Sequence, residues 1–485
     1  MCNFHQCINE KTSFIMKLIS KKYILAAALL ASVGTTMAQD FNSAYFIDDY
    51  KYRHDLNPAF GNDQSYVSLP ALGNLTVKMQ GNYGIDGVIF KNPNPNGKKT
   101  VTFLHPDITW DQVKGNLKDN NKLSANVDIT ILSVGFKGFG GYNTIEINEK
   151  TSFGLQVPLG LFEFAKNTGN NRYDFSDLRV RAQSYGEIAF GHSRQITQDL
   201  RVGAKVKVLL GLGRANMEMD NVTADLTNTN QWLISGQAKA NFNVKGMTLK
   251  EKEKKYNNNK RGKYKYVSEL DVDGTGLNGF GLGLDLGATY KMDNLGVEGL
   301  TLSAALTDLG FISWSNNIQA SNHGETFVFN GFHDISVNED RDNNTIDKQA
   351  DDYSDQLADF ANLQNDGDQG SESSMLAATA RLGAEYILPV YKPVSFGLLL
   401  QHRFDGDYSW SEGRLSANYK PLTWIDGGVN VAVNSFTTSA GWVLNIHPKA
   451  FNFFIGMDHI LGKTTKEFIP LSSNMSVNLG MNVTF

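Results

Sequence analysis

The final segment of the chain, residues 474–485, constrains the fold more than any other stretch. It reads NMSVNLGMNVTF, in which apolar residues alternate without a break with polar or small ones, and it ends on an aromatic residue. Because alternate residues of a strand share a face, this segment predicts a strand with one apolar and one polar face. The edge strand of a soluble sandwich is the alternative, but such edges are normally blunted by charge. The pattern therefore favours a strand whose apolar face meets lipid.

The amino-terminal region predicts an exported protein. Basic residues precede the apolar run 23–33, and Ala38 stands as the small residue of a cleavage site just before Gln39. The apolar run is too short to span the ~30 Å hydrocarbon core of a bilayer. We therefore interpret residues 16–38 as a signal peptide and residues 1–15 as an extension ahead of the true start.

Composition narrows the classes further. The only cysteines, Cys2 and Cys7, precede the predicted cleavage site, so the exported chain is predicted to carry no disulfide, thiolate ligand or cysteine nucleophile. The net charge of −5 does not indicate a nucleic-acid partner. No apolar run after the signal has the length of a membrane helix, so a membrane protein of this sequence is expected to be a closed β-barrel.

A series of alternating segments separated by turn residues predicts the barrel strands. The pattern gives about 14 antiparallel strands, within a range of about 12 to 16. Segment 216–244 allows two more, and a phase shift at Leu132 predicts a β-bulge. The fold class is therefore all-β, a transmembrane antiparallel barrel over residues 73–485. The alternating segments are 75–80, 127–136, 153–157, 180–190, 200–210, 280–292, 300–306, 378–388, 396–404, 415–419, 429–433, 440–446, 451–457 and 474–485.

Two further groups of residues are candidates for function. Residues 39–72 show little alternation and contain Asn57-Pro58-Ala59, where Pro58 blocks a regular ladder, so an irregular segment is expected before the first strand. The non-lipid side of the strands is expected to line the lumen. The charged residues on that side either fill and stiffen the barrel or line a conduit for a polar or amphipathic solute. The lumen candidates are Lys205, Lys207, Asp285, Arg381, Glu385 and Arg403.

No motif indicates an enzyme, a metal or a cofactor. The G-x-G-x-x-G at 274–279 is followed by strand alternation, whereas a dinucleotide site needs a helix there. The acidic segment does not fit an EF-hand, although loose calcium binding by its carboxylates stays open. The sequence contains no H-E-x-x-H and no G-x-S-x-G. We therefore predict no catalytic, metal-ligating or cofactor-binding residue; a hydrolytic triad assembled from distant strands is the remaining alternative.

Two long loops, 245–275 and 315–376, carry opposite charge. Residues 245–266 hold nine Lys or Arg and two Asp or Glu, a net +7, whereas residues 334–372 hold two and twelve, a net −10. Two strands separate the loops, so both are expected on one side of the membrane, unless 327–332 crosses as well. Opposite charges then predict a salt-sensitive cap over the lumen.

The side of the membrane follows from the carboxy-terminus. Barrel termini face the periplasm, where turns are short. Counting back from the last strand places both long loops outside the cell. It places four turns on the periplasmic side, at 293–299, 389–393, Pro421 and His447.

Three segments together resemble a known type of protein. Asn57-Pro58-Ala59, GLGLDLGATY at 281–290 and LSAALTDLGFISW at 302–314 resemble uncharacterised outer-membrane barrels typical of Bacteroidota. More distantly they are similar to FadL-type transporters of fatty acids and other hydrophobic compounds, and to the secretion-associated PorV proteins.

The resemblance implies a 14-stranded barrel in outer-membrane lipid, with residues 39–72 as a lumen plug that includes Asn57, Pro58 and Ala59. Phe485 resembles the carboxy-terminal signal that the barrel assembly machinery reads. The implied function is passive transport or binding of a small amphipathic or hydrophobic solute. The alternative is a non-transporting scaffold, or an accessory component, of a secretion or surface complex.

Overall fold

The computed structural model describes residues 41–84, 87–95, 97, 99–228, 231–257, 262–274, 276–331, 346–460 and 474–485. The predicted signal peptide, with Ala38 and Gln39, lies outside these residues and stays a prediction. The helices are α1 (Arg53–Leu56), α2 (Trp110–Lys114), α3 (Leu159–Lys166) and α4 (Ile346–Ala361), with 3₁₀ turns at Asn42–Ala44, Asp293–Leu295 and Gly406–Tyr408. Within the described ranges, no helix is long and apolar enough to cross a membrane.

Strands make up most of the described chain. They are β1 (Tyr66–Ser68), β2 (Leu75–Gly81), β3 (Ile89–Lys91), β4 (Thr100–Thr102), β5 (Asn120–Gly138), β6 (Gly141–Pro158), β7 (Arg172–Asp174), β8 (Arg179–Gln195), β9 (Leu200–Asn228), β10 (Gln231–Val244), β11 (Met247–Lys255), β12 (Lys263–Val272), β13 (Gly279–Lys291), β14 (Leu300–Trp314), β15 (Ile318–Ser321), β16 (Phe327–Phe329), β17 (Gln364–Asp368), β18 (Glu372–Met375), β19 (Thr379–Ile387), β20 (Val394–Arg403), β21 (Trp410–Leu422), β22 (Ile425–Asn434), β23 (Thr438–Ile446), β24 (Phe451–Met457) and β25 (Met475–Thr484).

A ring of antiparallel strands closes on itself. Strand β2 pairs with β5, and the ring continues through β6, β8, β9, β13, β14 and then β19 to β25. It closes where β25 pairs with β2, with Leu75 opposite Leu479. The result is a closed 14-strand antiparallel barrel. The predicted fold class and strand number are confirmed, and the ring strands are those that the alternating segments indicated.

The two faces of the wall follow the predicted alternation. On β13, Phe280, Leu282 and Leu286 are exposed on the outside, whereas the interleaved Asp285 is fully buried. On β25 the polar residues Asn478 and Asn482 are fully buried, as expected of a polar lumen face.

Register shifts interrupt the wall at four points, and two of them change which side chains face the lumen. The register between β5 and β6 shifts between Thr130 and Leu132, which is the predicted bulge. A second shift occurs where β13 pairs with β14, and Asp308 there has a φ of 57°, a left-handed conformation that is uncommon for a non-glycine residue. This bulge turns Asp308 towards the lumen and breaks the alternation that the sequence pattern follows.

The connections at the two ends differ in length. The turns at 293–299, 388–393, 423–424 and 447–450 lie at the same end as Phe485, and both long loops leave the opposite end. Strand β16 pairs with β10 and does not cross the wall, so 327–329 does not reverse the predicted parity.

The sheet of the wall continues beyond the barrel at the long-loop end, and we call this extension the outer sheet. Strand β9 has 29 residues, and its first half pairs with β13 in the wall while its second half pairs with β10. At about 3.3 Å per residue it is ~95 Å long, roughly three times the ~30 Å hydrocarbon core. Strands β15 and β16 pair with β10, and β17 pairs with β15. Segment 216–244 therefore belongs to this outer sheet and adds no wall strands.

The two oppositely charged segments contact each other in this outer region. The first forms the β11–β12 hairpin, and the second includes α4. The Asn257 N–H donates to Asp355 Oδ1 at 2.8 Å, and the Val267 N–H donates to the Leu363 carbonyl at 2.8 Å. Leu249, Val267, Leu363 and Phe360 are buried in one apolar cluster. Hydrogen bonds and apolar packing thus join the two segments alongside the predicted charge attraction.

Candidate functional site: the plugged lumen

Residues 41–65 lie inside the barrel and pack against its inner wall. Phe41, Tyr45, Tyr50 and Tyr52 are each at most 1% exposed. The first turn of this segment leaves backbone N–H groups free of internal partners, and those of Asn42 and Ser43 donate to the Asp458 carboxylate at 3.1 and 2.6 Å. Strand β1 then enters the wall between β25 and β5. The wall therefore begins at Tyr66, within the predicted irregular segment 39–72. We refer to residues 41–65 as the plug.

The Asn-Pro-Ala segment occupies a notch made by two glycines. Gly203 of β9 and Gly287 of β13 face each other across the ladder. A Cβ at Gly287 would lie 2.0 Å from Asn57 Oδ1, and one at Gly203 would lie 2.0 Å from the Pro58 carbonyl oxygen. Asn57 Nδ2 donates to the Ala304 carbonyl at 3.3 Å, while its Oδ1 accepts from the N–H of Ala59 at 2.9 Å. Only glycine allows the plug backbone to approach the wall so closely.

Lys205 links the plug to the wall. Its Nζ lies 2.6 Å from Glu146 Oε2 of β6, contacts the Asp55 carboxylate of the plug, and lies 3.1 Å from His54 Nδ1. The lysine is 1% exposed and Glu146 is fully buried. Charged groups this deep are tolerated because they are paired, and removing one partner would leave the other unpaired.

A second ion cluster, centred on Lys207, lies beside the first on five neighbouring strands of the wall. Its Nζ is 2.8 Å from Asp285, 2.7 Å from Asp308 and 3.7 Å from Glu187. Lys150 Nζ lies 3.3 Å from Glu187 and 3.4 Å from Asp308. We call these five residues the Lys207 cluster. It holds two cations and three carboxylates.

The other three lumen candidates lie apart from these clusters. Arg381 is 2% exposed and donates to Thr307 Oγ1 at 2.8 Å and to the carbonyl of Leu56 in the plug at 3.4 Å. Glu385 accepts from Ser395 Oγ at 3.0 Å. Arg403 lies at the outer end of β20, with Nε 3.8 Å from Asp405.

Several lumen residues were not among the predicted candidates. Glu146, Glu187 and Asp458 are each at most 2% exposed, and the Asp308 side chain is 14% exposed. Glu146 and Glu187 lie at lumen-facing positions of strands, so the alternation of β6 and β8 was the signal that could have found them. Asp308 is hidden by its bulge, and Asp458 follows the end of β24, beyond the alternating pattern.

A line of cavities runs from the outer end of the lumen to the plug. The outermost has a volume of about 310 Å³ and is bordered by Arg181, Met375, Leu376 and Phe404. It shares Arg181, Met375 and Leu376 with a cavity of about 60 Å³ deeper in the lumen. The latter shares Lys150 and Asp308 with a third cavity, of about 30 Å³, that reaches Tyr52 and Leu56 of the plug. We call the outermost cavity the vestibule. The Lys207 cluster contributes to the narrowing below it.

The chain is similar to several solved structures. Among solved structures it is similar to the Ralstonia pickettii toluene transporter TbuX (9% identity, TM-score 0.42, 93% of this chain and 95% of that one). It is also similar to the Pseudomonas putida toluene transporter TodX (9%, 0.38, 93% and 95%). A third similar structure is the translocator domain of the Neisseria meningitidis autotransporter NalP (8%, 0.32, 88% and 90%). No curated protein sequence matches the chain.

The first two neighbours are FadL-type proteins, the type that the sequence resembles. Their TM-scores lie below 0.5, so we base no conclusion about the solute on them. The closed barrel itself, with its apolar outer face, indicates an outer-membrane protein. The Bacteroidota origin stays a prediction.

A family model also matches residues 58–458, from the Asn-Pro-Ala segment to the end of β24. This range takes in thirteen of the wall strands, so the match concerns the barrel as a whole. The chain belongs to the DUF5723 family, a protein family of unknown function.

Proposed function

We propose that the protein binds a small amphipathic or hydrophobic solute in the vestibule and passes it passively across the plugged barrel. The line of three cavities carries this proposal, because each cavity shares lining residues with the next. A barrel that only had to be filled would not need adjacent cavities in a row from its outer mouth to its plug.

The vestibule has the chemistry of an amphipathic site. Met375, Leu376 and Phe404 give it an apolar side, and Arg181, paired with Asp405 at 2.7 and 2.8 Å, gives it a polar one. Its volume of about 310 Å³ is at the lower end of the ~300–1,000 Å³ range of small-molecule sites. A solute with an apolar body and one polar end fits this lining.

Passage beyond the vestibule requires a movement. The deeper cavities of about 60 and 30 Å³ hold a few water molecules at most. The Lys207 cluster and the plug fill the space between them. We infer that solute advances when the plug or the cluster shifts, so that the conformation described here is the closed one.

Uptake into liposomes tests this function. The probes are a membrane-impermeant naphthalene sulfonate, which is amphipathic, and a small sugar. We expect the full-length barrel to admit the sulfonate faster than the sugar, and a variant lacking residues 41–60 to admit both. Leu376→Trp, which fills the junction of the two outer cavities, should block sulfonate uptake.

The matched control is Leu382→Trp. Leu382 is 61% exposed on the outer face of β19, so the same substitution there should leave uptake unchanged. If neither the full-length protein nor the deletion variant admits a probe faster than protein-free liposomes, solute passage is wrong.

The outer sheet favours a second candidate, the scaffold. Strand β9 extends far past the membrane, and the β11–β12 hairpin, α4 and three short strands are built onto that extension. This structure is larger than solute entry requires and offers a surface for another protein. Removal of residues 246–273 from the full chain, with purification of the complex from native membranes, would separate the two. Loss of a stoichiometric partner with unchanged uptake supports the scaffold.

A further inference from the structure

Three residues that are far apart in sequence meet at the short-turn end of the barrel. Asp49 belongs to the plug, Asp426 is near the start of β22, and His447 follows the end of β23. His447 Nε2 lies 3.6 Å from Asp49 Oδ2 and 3.6 Å from Asp426 Oδ1. One ligand atom from each residue lies within 4.8 Å of the others.

The wall holds two of these side chains in place. Ile425 pairs with Ile446 and Asp426 pairs with Asn445, so the next residue, His447, is brought beside Asp426. The His447 N–H donates to the Trp424 carbonyl at 2.8 Å, which fixes the start of the turn. A preformed pair of this kind needs little ordering when a ligand binds.

One atom in each of two of these buried side chains lacks a hydrogen bond to any described residue. His447 is 4% exposed and Asp426 is 5% exposed. Within the described part of the chain, His447 Nε2 and Asp426 Oδ1 make no hydrogen bond. Buried polar atoms are normally satisfied, so two unsatisfied atoms aimed at one point indicate a missing partner.

We propose that Asp49, Asp426 and His447 bind a divalent transition-metal ion of the Zn²⁺ type, which links the plug to the barrel wall. Zinc is bound by imidazole nitrogen and carboxylate oxygen at ~2.0–2.2 Å, commonly with tetrahedral geometry. The edges of such a tetrahedron are roughly 3.3–3.6 Å long at those bond lengths. The two ligand separations of 3.6 Å fit this range. A water molecule can take the fourth position, since Asp49 is partly exposed.

The carboxylates of Asp49 and Asp426 and the ammonium groups of Lys420 and Lys51 surround the site. Two carboxylates offset the charge of the ion, and the imidazole nitrogen selects Zn²⁺ over Ca²⁺ and Mg²⁺, which prefer oxygen. Lys420 Nζ contacts Asp49 Oδ2 and must move aside. Its side chain is 42% exposed, so solvent is accessible to it.

Zinc titration of the full-length, tag-free protein in detergent, after removal of metals with EDTA, tests the proposal. Isothermal titration calorimetry should show one Zn²⁺ bound per chain, and Ca²⁺ at equal concentration should not displace it. His447→Ala, Asp426→Asn and Asp49→Asn should each weaken binding more than about tenfold, since even outer partners of a metal site matter that much. Co²⁺ in place of Zn²⁺ should give visible absorption that these variants lose.

Two further variants distinguish loss of the metal site from misfolding and from non-specific effects. Lys420→Met should tighten Zn²⁺ binding, an effect that misfolding cannot produce. His323→Ala is the matched control, because His323 lies 2.6 Å from a single carboxylate, Asp366, in the outer sheet, and its loss should change nothing. Absence of stoichiometric Zn²⁺ binding, or binding unchanged in His447→Ala and Asp49→Asn, overturns the proposal. Solute uptake does not enter this readout, so the proposed transport function stands or falls separately.

Discussion

Replacement of Lys207 by Met should destabilise the barrel strongly. The lysine is 3% exposed, and its Nζ lies within 2.8 Å of both Asp285 and Asp308. At an effective dielectric constant of about 20, two unit charges ~4 Å apart interact by about 4 kcal/mol. Breaking a buried ion pair by removing one partner costs about 3–5 kcal/mol, because the other charge stays buried. We therefore expect the free energy of unfolding to fall by about 3–5 kcal/mol.

The double variant isolates the cause. Lys207→Met with Asp285→Asn removes one charge of each sign, so the net charge of the Lys207 cluster returns to its wild-type value. We expect it to be more stable than Lys207→Met alone, with an interaction free energy of about 1.5–3 kcal/mol in the double-mutant cycle. Lys291→Met, at the exposed end of β13, is the control and should change the free energy by less than about 0.5 kcal/mol.

Urea unfolding of the refolded barrel in lipid vesicles, followed by tryptophan fluorescence, measures these differences. Conditions must be chosen in which the folding and unfolding curves coincide, so that the midpoints report equilibrium. If Lys207→Met unfolds at the same urea concentration as the wild type and as Lys291→Met, the ion cluster does not stabilise the lumen. The Lys207 cluster would then be no barrier to solute passage.

Three further predictions concern the plug, assembly and topology. Gly287→Val should loosen the plug, because a Cβ at this position overlaps Asn57 of the plug and a well-packed interior cannot absorb the overlap. Trypsin should then cut within residues 41–65 of the folded barrel. Unchanged protection of this segment from trypsin would contradict the prediction. Removal of Phe485 should reduce the folded, heat-modifiable fraction in cells, and equal folding of both forms would refute its role in assembly. The topology is tested in a variant without Cys2 and Cys7. A single cysteine that replaces Lys254 or Asp351 should react with an impermeant maleimide on intact cells. A cysteine that replaces Val390, which is 91% exposed in a short turn, should react only after lysis. Labelling of Val390 on intact cells would reverse the orientation.

The sequence by itself determined the wall of the barrel. Period-two alternation reflects the geometry of each strand, in which neighbouring side chains point to opposite faces, and this is local in the chain. It sufficed for the strand number, for the lipid and lumen faces, and for the bulge at Leu132. Parity along the chain also sufficed to place both charged loops at one end, because antiparallel neighbours must alternate in direction.

Only the tertiary structure decided what fills the barrel. Lys205 meets Asp55, and Asn57 meets Gly287, across more than a hundred residues of chain, and closure of the ring sets these distances. Segment 216–244 alternates as a wall strand does, yet it forms the outer sheet, since periodicity records the faces of a strand and not its partner. Asp308 enters the lumen only through its bulge. The three proposed metal ligands come from the plug, from strand β22 and from the turn after β23. No spacing in the sequence connects them, because they meet only when the barrel closes around the plug.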